Sequence, residues 1–432
     1  MDRFLMTDLI AWKDSTGRKP LILNGARQVG KTWLLKEFGS QQFENVAYVN
    51  FDNNDRLSQQ FERGYDTDRL LLALQAEARQ PITPGKTLVV LDEIQECPKA
   101  ITSLKYFCEN ARGLAVAAAG SLLGLAVHSG TGFPVGKVNM LDLHPMSFGE
   151  FLDAKGERYL REVVDSGDWQ LIEPFSSKLE DHLREYYYVG GMPEIVQSYV
   201  HDADFGRTRD MQLEIAAAYE NDMSKHLSSA EAEAAIAAWR SLPRHLAEEN
   251  KRFIFGHVRE GARARQFHGA VTWLVKAGLC CKVPRVSKPG IPLSAYADDS
   301  IFKLFCLDVG LLGALADLDY RSIIDGNRIF TEFKGALTEQ YVCQELIAGG
   351  LAPHYWSAEN SRGEVDFLVQ CEGRIYPIEV KAEENLRAKS LAAFNERYEG
   401  VHPRRFSLSG YRDQGWMSNV PLYAIGNQGC WL

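Results

Sequence analysis

The sequence lacks several features that would place the chain in a specialised class. It has no run of about 18 uncharged apolar residues, so no transmembrane helix is predicted. Residues 1–20 mix acidic and basic side chains without an apolar core segment, which is not typical of a secretory signal. The eight cysteines form no CxxC pair, which argues against a zinc site or a disulfide framework. We therefore expect a cytoplasmic protein with reduced thiols and no membrane partner.

An excess of basic residues is also missing. The 432-residue chain has 48 Lys and Arg against 57 Asp and Glu, and its net charge is −9. A protein that binds nucleic acid through its overall charge would be basic, so any such binding here must be local. Residues 251–290 are the candidate for DNA binding, because they hold nine Lys or Arg and one acid, Glu260.

A phosphate-binding motif lies near the N-terminus. The segment Gly25-Ala26-Arg27-Gln28-Val29-Gly30-Lys31-Thr32 matches the P-loop pattern GxxxxGK[ST], and it lies between an apolar run and an amphipathic segment. Backbone N–H groups of such a loop, with the N-terminus of the following helix, surround the phosphates of ATP or a close nucleoside triphosphate. Lys31 would reach the β- and γ-phosphates, and the Thr32 hydroxyl would ligate Mg²⁺.

Two acidic residues follow a second apolar run. Residues 88–91 are apolar, and Asp92 and Glu93 come directly after them. Ligands bind at the C-terminal ends of strands in open α/β sheets, so we expect Asp92 to hold Mg²⁺ and Glu93 to orient or deprotonate the attacking water. Ser121 follows another apolar run and is a candidate sensor of the γ-phosphate. The alternative for Ser121 is a structural role in a turn or helix cap.

A second group of charged residues lies in the last hundred residues. Asp366 falls in one predicted strand, Glu379 and Lys381 fall at the end of the next, and Glu339 falls in a predicted helix, 332–346. Side chains alternate along a strand, so Glu379 and Lys381 share a face that Asp366 can join. The three acids Glu339, Asp366 and Glu379 would bind a cation such as Mg²⁺. Lys381 would activate water or stabilise the transition state of phosphodiester hydrolysis.

This order of residues resembles the PD-(D/E)xK nuclease superfamily, although no proline precedes Asp366. The alternative is that the charges form ordinary ion pairs, for example Glu379 with Lys381 or Lys334. The same fold is also used as an inert binding module, so the resemblance leaves cleavage open.

Most of the chain resembles a group of AAA-type P-loop ATPases of bacteria and archaea whose C-terminal domain has a poorly defined function. The matching segments are 25–32, Leu91-Asp92-Glu93-Ile94-Gln95, 143–148, Gly190-Gly191-Met192-Pro193-Glu194, 363–367 and 378–381. The first two are specific for ATPases. The resemblance implies a multidomain α/β protein: a P-loop core with a parallel sheet at 1–150, a helical lid at 151–222, a winged-helix segment at 223–330, and a restriction-endonuclease-like α/β domain at 331–432.

The basic segment would serve as the DNA-contacting part of the winged helix, whose predicted order is helix, short strand at 253–255, helix and hairpin. Its cations fall at the start of the second helix and in the wing: Arg259, Arg263, Arg265, Lys282, Arg285 and Lys288. Such a surface binds phosphate backbone in a salt-dependent way. The alternatives are a solvated helix face and a surface for protein contact.

The leading interpretation is a Mg²⁺-dependent ATPase, coupled to a nuclease-like domain and acting on or near DNA. The alternative is a nucleotide-switched signalling or scaffold protein whose C-terminal domain only binds a partner. A small-molecule kinase accounts for less of the sequence. Related ATPases often form homo-oligomers in which a neighbour supplies an arginine, and Arg27, Arg112 and Arg184 are candidates.

Overall fold

The computed structural model describes residues 2–121, 132–249, 251–259, 261, 264–324, 331–358, 363–382 and 388–432. These residues form two compact units. The N-terminal unit comprises residues 2–144 with 276–278, and the C-terminal unit comprises residues 145–275 with 279–432. The four domains predicted from the sequence divide the chain more finely, and those boundaries stay a prediction.

A parallel sheet forms the centre of the N-terminal unit. Its strands, as far as the described residues show, are β1 Leu21–Asn24, β2 Asn45–Asn50, β3 Thr87–Asp92, β4 Ala115–Ala119 and β5 Asn139–Asp142. Their order across the sheet is β2-β3-β4-β1-β5, and every pairing is parallel. The helices of this unit are α1 Met6–Asp14, α2 Lys31–Gln42, α3 Asp55–Glu62, α4 Thr67–Ala78 and α5 Pro98–Asn110.

The central strands β3 and β4 are apolar except for Thr87 and Asp92 at the ends of β3, as expected where helices cover both faces of a sheet. Every residue of β3 and β4 is buried. On one face, Val89 and Val116 pack in a core with Phe61 of α3 and Leu74 of α4. On the other face, α2 lies so close that a Cβ on Gly39 would stand 2.4 Å from a methyl group of Val46. The parallel α/β sheet predicted from the apolar runs is therefore confirmed.

The C-terminal unit begins with a long helical region, and further helices lie between the strands of its sheet. The helices of the whole unit are α6 Phe148–Ala154, α7 Arg158–Asp165, α8 Trp169–Ile172, α9 Ser176–Val189, α10 Pro193–Asp202, α11 Phe205–His226, α12 Ser229–Arg240, α13 Leu242–Ala247, α14 Phe255–Val258, α15 Ala264–Lys276, α16 Val309–Leu315, α17 Tyr320–Ile324, α18 Thr331–Ala348 and α19 Lys389–Arg397. The Ser147 side chain and Glu150 form a capping box that fixes the start of α6.

A second, mixed sheet completes this unit. Its strands are β6 Cys280–Val286, β7 Ala297–Cys306, β8 His354–Ser357, β9 Glu364–Cys371, β10 Arg374–Val380, β11 Arg404–Ser407, β12 Arg412–Asp413 and β13 Ser418–Pro421. They lie in the order β12-β13-β11-β10-β9-β8-β6-β7. The hairpin β6–β7, predicted as a wing, pairs through β6 with β8 and so joins the sheet that carries β9 and β10.

The short strand expected at 253–255 is not formed. Arg252 makes a single antiparallel bridge with Lys303, and α14 begins at Phe255. The Phe253 ring stacks on His245 and Phe302 instead. Phe253 is thus buried by aromatic packing without a strand, whereas Ile254 is exposed.

Candidate functional site

The P-loop adopts a backbone that only its glycines allow. Gly25 has φ +150°, and a Cβ there would stand 2.4 Å from the carbonyl oxygen of Leu143. Gly30 has φ +94° and precedes the first residue of α2. Both positions exclude an L side chain, so the glycines of the motif are required by the loop itself. The loop lies at the C-terminal end of β1, at the N-terminus of a twelve-residue helix.

Lys31 is buried, with 7% of its surface exposed, and its ammonium group is held by backbone. The Nζ atom donates to the carbonyl oxygens of Gly25 at 2.9 Å and Ala26 at 2.7 Å. Burial lowers the pKa of Lys31 to about 8, against the opposing influence of Glu93 and Asp92, and Arg27 lowers it further. A negative ligand would relieve this destabilised charge, which is the property expected of a phosphate-binding lysine.

Asp92 ends β3 and is surrounded by neutral hydrogen-bond donors. The Thr32 hydroxyl donates to its Oδ2 atom at 2.8 Å, and the Tyr48 hydroxyl donates to the same atom at 2.9 Å. The backbone N–H of Glu93 donates to Oδ1 at 3.1 Å. Thr32 and Asp92, distant in sequence, therefore meet at the carboxyl edge of the sheet.

Glu93 follows in a left-handed backbone conformation, with φ +50°. The Gln95 amide donates to its Oε2 atom at 2.5 Å, and the Gln95 Oε1 atom is buried without a hydrogen-bond partner. Ser121, the candidate sensor, is buried and lies two residues beyond β4 in the same sheet. Of the remaining P-loop side chains, Arg27 and Gln28 are exposed and Val29 is buried in the core.

The donor set around Asp92 suits Mg²⁺, which prefers oxygen ligands and commonly takes one or two from protein and the rest from phosphates and water. The Thr32 hydroxyl donates its hydrogen bond to Asp92, so the lone pairs of Oγ1 are available to a cation. Within the described ranges no group of three His, Cys, Asp or Glu side chains could hold a metal ion on its own. A site at Thr32 and Asp92 would need no such group, because phosphate oxygens and water would supply the remaining ligands.

The structure also brings the C-terminal charged residues together, around lysines. Lys381 Nζ lies 2.7 Å from Glu379 Oε1, and the backbone N–H of Val380 donates to Asp366 Oδ2 at 2.7 Å. Glu339 on α18 forms an ion pair with Lys251 and lies 3.7 Å from Lys303. Lys303 in turn lies 2.5 Å from Glu364. We call Lys251, Lys303, Glu339, Glu364, Asp366, Glu379 and Lys381 the C-terminal charge cluster.

Three members of this cluster were missed from the sequence: Lys251, Lys303 and Glu364. Lys303 is the clearest omission, because its surface is 0% exposed and it lies on β7, outside the predicted nuclease-like domain. A lysine inside the apolar run 301–306 was the available signal. A charged residue is almost never buried without a partner, so its position indicated an acidic group nearby.

The acids of the cluster respond differently to their surroundings. Burial opposes ionisation of Glu339, but Lys251 and Lys303 prevail and hold its pKa below the ordinary value. Burial raises the pKa of Asp366 to about 7, and the charge of Glu339 adds to that effect. A metal role for Glu339, Asp366 and Glu379 stays a prediction. Here Glu339 and Glu379 are paired with lysines, and Asp366 accepts a backbone N–H.

The basic segment 251–290 is partly neutralised by acids that follow it. Lys282 lies 3.1 Å from Asp299, and Arg285 lies 3.8 Å from Asp298, both on the paired strand β7. Lys288 lies over the Tyr296 ring, and Arg265 is exposed. Arg263 and Glu260 lie outside the described residues. The excess of positive charge counted along the sequence is therefore smaller on the folded hairpin.

Of the candidate arginines, Arg184 forms ion pairs with Asp181 and Glu180 on its own helix. Arg112 is exposed just beyond the end of α5. Arg27 affects the pKa of Lys31 and so lies near it. A role for any of the three in a neighbouring subunit stays a prediction.

The N-terminal unit contains an AAA-type P-loop domain. Its marks are a loop whose backbone requires glycine, a buried lysine beside that loop, and a threonine that is hydrogen-bonded to an aspartate at the end of a strand. The model of the AAA domain family matches residues 17–152. Residues 180–322 match a domain of unknown function, DUF8612, and residues 334–421 match another, DUF4143. The mixed sheet spans both of these matched regions.

Solved structures give weaker likenesses. The Walker-type ATPase PABY2304 of Pyrococcus abyssi is 15% identical with a TM-score of 0.46, over 73% of this chain and 95% of that one. The Orc1 protein of Aeropyrum pernix, solved in complex with DNA, is 15% identical with a TM-score of 0.27, over 72% and 90%. Cdc6p from Pyrobaculum aerophilum is 13% identical with a TM-score of 0.24, over 74% and 92%. These scores are too low to support conclusions about this chain.

No protein with a curated description matches the chain. In the part of the chain that the structure describes, no helix has both the length and the apolar character needed to cross a membrane. All eight cysteines are free thiols.

Proposed function

We propose that the N-terminal unit binds ATP with Mg²⁺ and hydrolyses it. The observation that carries this proposal is the convergence of Lys31, Thr32 and Asp92 at the carboxyl edge of the sheet. Bound Mg²⁺ would supply electrostatic stabilisation of the β- and γ-phosphate oxygens, and Thr32 and Asp92 are the residues that would hold it.

The protein groups then divide the work. The loop N–H groups and the N-terminus of α2 bind phosphate, and the Lys31 ammonium exchanges its carbonyl partners for phosphate oxygens. Glu93 orients the attacking water or takes its proton. The Gln95 amide holds the Glu93 carboxylate in place at 2.5 Å, so the base is already oriented before substrate arrives. Ser121 contacts the γ-phosphate in this proposal.

The C-terminal unit is the second part of the proposal. Glu339, Asp366, Glu379 and Lys381 meet from one helix and two antiparallel strands, which supports a nuclease-like domain acting on DNA. The basic residues of 251–290, some of which lie on α15 and on the β6–β7 hairpin, would contact its phosphates as a winged helix does. The lysine partners of Glu339 and Glu364 favour the alternative, a module that binds DNA or another partner without cutting it.

The decisive experiment is steady-state ATP hydrolysis with Mg²⁺, with and without double-stranded DNA, for wild type, Lys31→Ala and Glu93→Gln. We expect hydrolysis in wild type, loss in both variants, and stimulation by DNA. Nucleotide binding without turnover under any condition would contradict the enzyme proposal and favour the nucleotide-switched scaffold. If wild type hydrolyses ATP but DNA does not stimulate it, the ATPase proposal is retained and DNA is rejected as its partner.

Cleavage by the C-terminal unit is tested separately with Asp366→Ala. Metal-dependent DNA cleavage by wild type that this variant loses supports the nuclease-like site. Cleavage that persists unchanged in Asp366→Ala rejects that site. The absence of cleavage by wild type, with salt-dependent DNA binding that Arg265→Glu with Lys288→Glu weakens, supports the binding module.

A further inference from the structure

Tyr48 is a residue that the sequence motifs do not include. It lies on β2, where its register partner is Val90 of β3, and the side chains of Tyr48 and Asn50 fall on the same face of the strand. Ala47 and Val49, on the opposite face, are buried in the core. The polar face of β2 therefore lies beside the end of β3 that carries Asp92.

The Tyr48 hydroxyl is fixed from several directions. It donates to Asp92 Oδ2 at 2.9 Å and lies 3.5 Å from the Asn50 amide nitrogen. The Lys36 ammonium, one turn along α2 from Thr32, lies 3.8 Å from the centroid of the Tyr48 ring. A cation at this distance over a ring stabilises the position of the tyrosine.

The hydrogen bonds assign different tasks to the two oxygens of Asp92. A carboxylate oxygen has two lone-pair sites, and those of Oδ2 are taken by the Thr32 and Tyr48 hydroxyls. Oδ1 accepts one backbone N–H and keeps one site open. Oδ1 is thus the Asp92 atom that a cation bound to Thr32, or a water molecule in the shell of that cation, would contact.

We infer that Tyr48 is a positioning residue for the divalent cation: its hydroxyl holds the Asp92 carboxylate in the one orientation that presents Oδ1 to a cation on Thr32. This inference rests on the proposed function and extends it to a residue on a neighbouring strand. Partners that orient metal ligands commonly change metal affinity by about 10–100-fold when removed.

The test separates cation binding from nucleotide binding and uses no turnover. The affinity for ADP is measured by titration calorimetry in EDTA and at a series of Mg²⁺ concentrations, for wild type, Tyr48→Phe and Tyr106→Phe. Tyr106→Phe is the matched control, because it removes a hydroxyl in the same unit from a ring stacked on Tyr65. We expect the Mg²⁺ concentration that gives half of the increase in ADP affinity to be about tenfold higher for Tyr48→Phe than for wild type. The affinity for ADP in EDTA should be the same for both.

Three other outcomes are distinguishable. Equal Mg²⁺ dependence in wild type and Tyr48→Phe overturns the inference and leaves the proposed function intact. Loss of ADP affinity in EDTA by Tyr48→Phe shows a merely structural role and also overturns it. If wild type gains no affinity from Mg²⁺ while Lys31→Ala loses binding, the Mg²⁺ part of the proposed function itself is wrong.

Discussion

Asp92 and Glu93 of the N-terminal unit contrast with Glu339, Glu364 and Glu379 of the C-terminal unit in the kind of donor that each receives. The first pair accepts hydrogen bonds from hydroxyls, an amide and a backbone N–H, all of them neutral. The second group is paired with lysines at hydrogen-bond distance. Both sets are acids at or beside strands of a sheet, yet among the described residues only the second forms ion pairs with lysines.

This difference separates carboxylates whose charge is available to a bound cation from carboxylates whose charge is balanced by lysines of the protein. A neutral donor orients a carboxylate but leaves its charge uncompensated, so a divalent ion and a nucleotide can supply the balance. A buried lysine supplies the balance within the fold, and its removal leaves an unpaired charge that costs stability. The first arrangement favours ligand binding, and the second favours a fixed structure.

Lys31→Ala gives the largest expected effect and tests the first half of the contrast. We expect ATP hydrolysis to fall by about 100-fold or more, because a positive group aimed at the reacting phosphates is lost. Stability without nucleotide should not fall, since the Lys31 ammonium donates to backbone carbonyl oxygens and its burial disfavours the charge more than Glu93 and Asp92 favour it. Hydrolysis assays and urea unfolding check both, with Lys105→Ala, an exposed lysine on α5, as the control. A fall in the free energy of unfolding of Lys31→Ala as large as the fall in transition-state stabilisation would refute the distinction between a ligand-binding lysine and a structural one.

Lys303→Met tests the second half. Removing this fully buried ammonium leaves Glu339 and Glu364 without one of their cations, and we expect the free energy of unfolding to drop by about 3–5 kcal/mol. ATP hydrolysis by protein that remains folded should not change. Lys282→Met on the paired strand is the matched control, because its partner Asp299 is 87% exposed, and we expect a loss of about 1 kcal/mol or less.

Urea unfolding followed by tryptophan fluorescence measures both variants, with Trp356 as a buried reporter in the C-terminal unit. Equal losses in Lys303→Met and Lys282→Met would show that the cluster is not a buried structural element. A Lys303→Met protein that is as stable as wild type but gains Mg²⁺ binding would show that the lysine only occupies a cation site.

The contrast also explains which parts of the molecule the sequence could predict. The P-loop and the Asp92-Glu93 pair are local in sequence, and the strand and helix that position them have strong patterns of their own. The parallel sheet followed from short, fully apolar runs such as residues 88–91. The partners that meet through pairing of strands were missed: Tyr48 reaches Asp92 only because β2 lies beside β3.

The same limit applies to the C-terminal unit. Glu339, Asp366, Glu379 and Lys381 were predicted to meet because strand alternation and one helix place them, whereas Lys251 and Lys303 come from segments distant in sequence. Asp298 and Asp299, which reduce the charge of the basic hairpin, lie just beyond the stretch over which charge was counted. Pairing across a sheet is a non-local property, so composition within a window could not show it.

A pH experiment on Glu345 gives the smallest effect and sharpens the role of the lysines. Glu345 is buried in the C-terminal unit, and its Oε1 atom accepts the Phe148 N–H at 2.8 Å. Among the described residues it has no lysine or arginine partner within ion-pair distance. Burial raises the pKa of Glu345 to about 8, whereas the lysines hold the pKa of Glu339 below its ordinary value.

A carboxyl group whose pKa is raised by folding stabilises the protein fully only below its unfolded pKa, and that contribution is lost as the pH rises through about 8. We therefore expect wild type to lose stability between pH 6 and 8 relative to Glu345→Gln, by at most about 1.4 kcal/mol for each pH unit. Glutamine keeps the acceptor for Phe148 and cannot ionise. Parallel curves for wild type and Glu345→Gln would mean that Glu345 is ionised despite its burial, and that a lysine is not needed to keep a buried carboxylate charged in this fold.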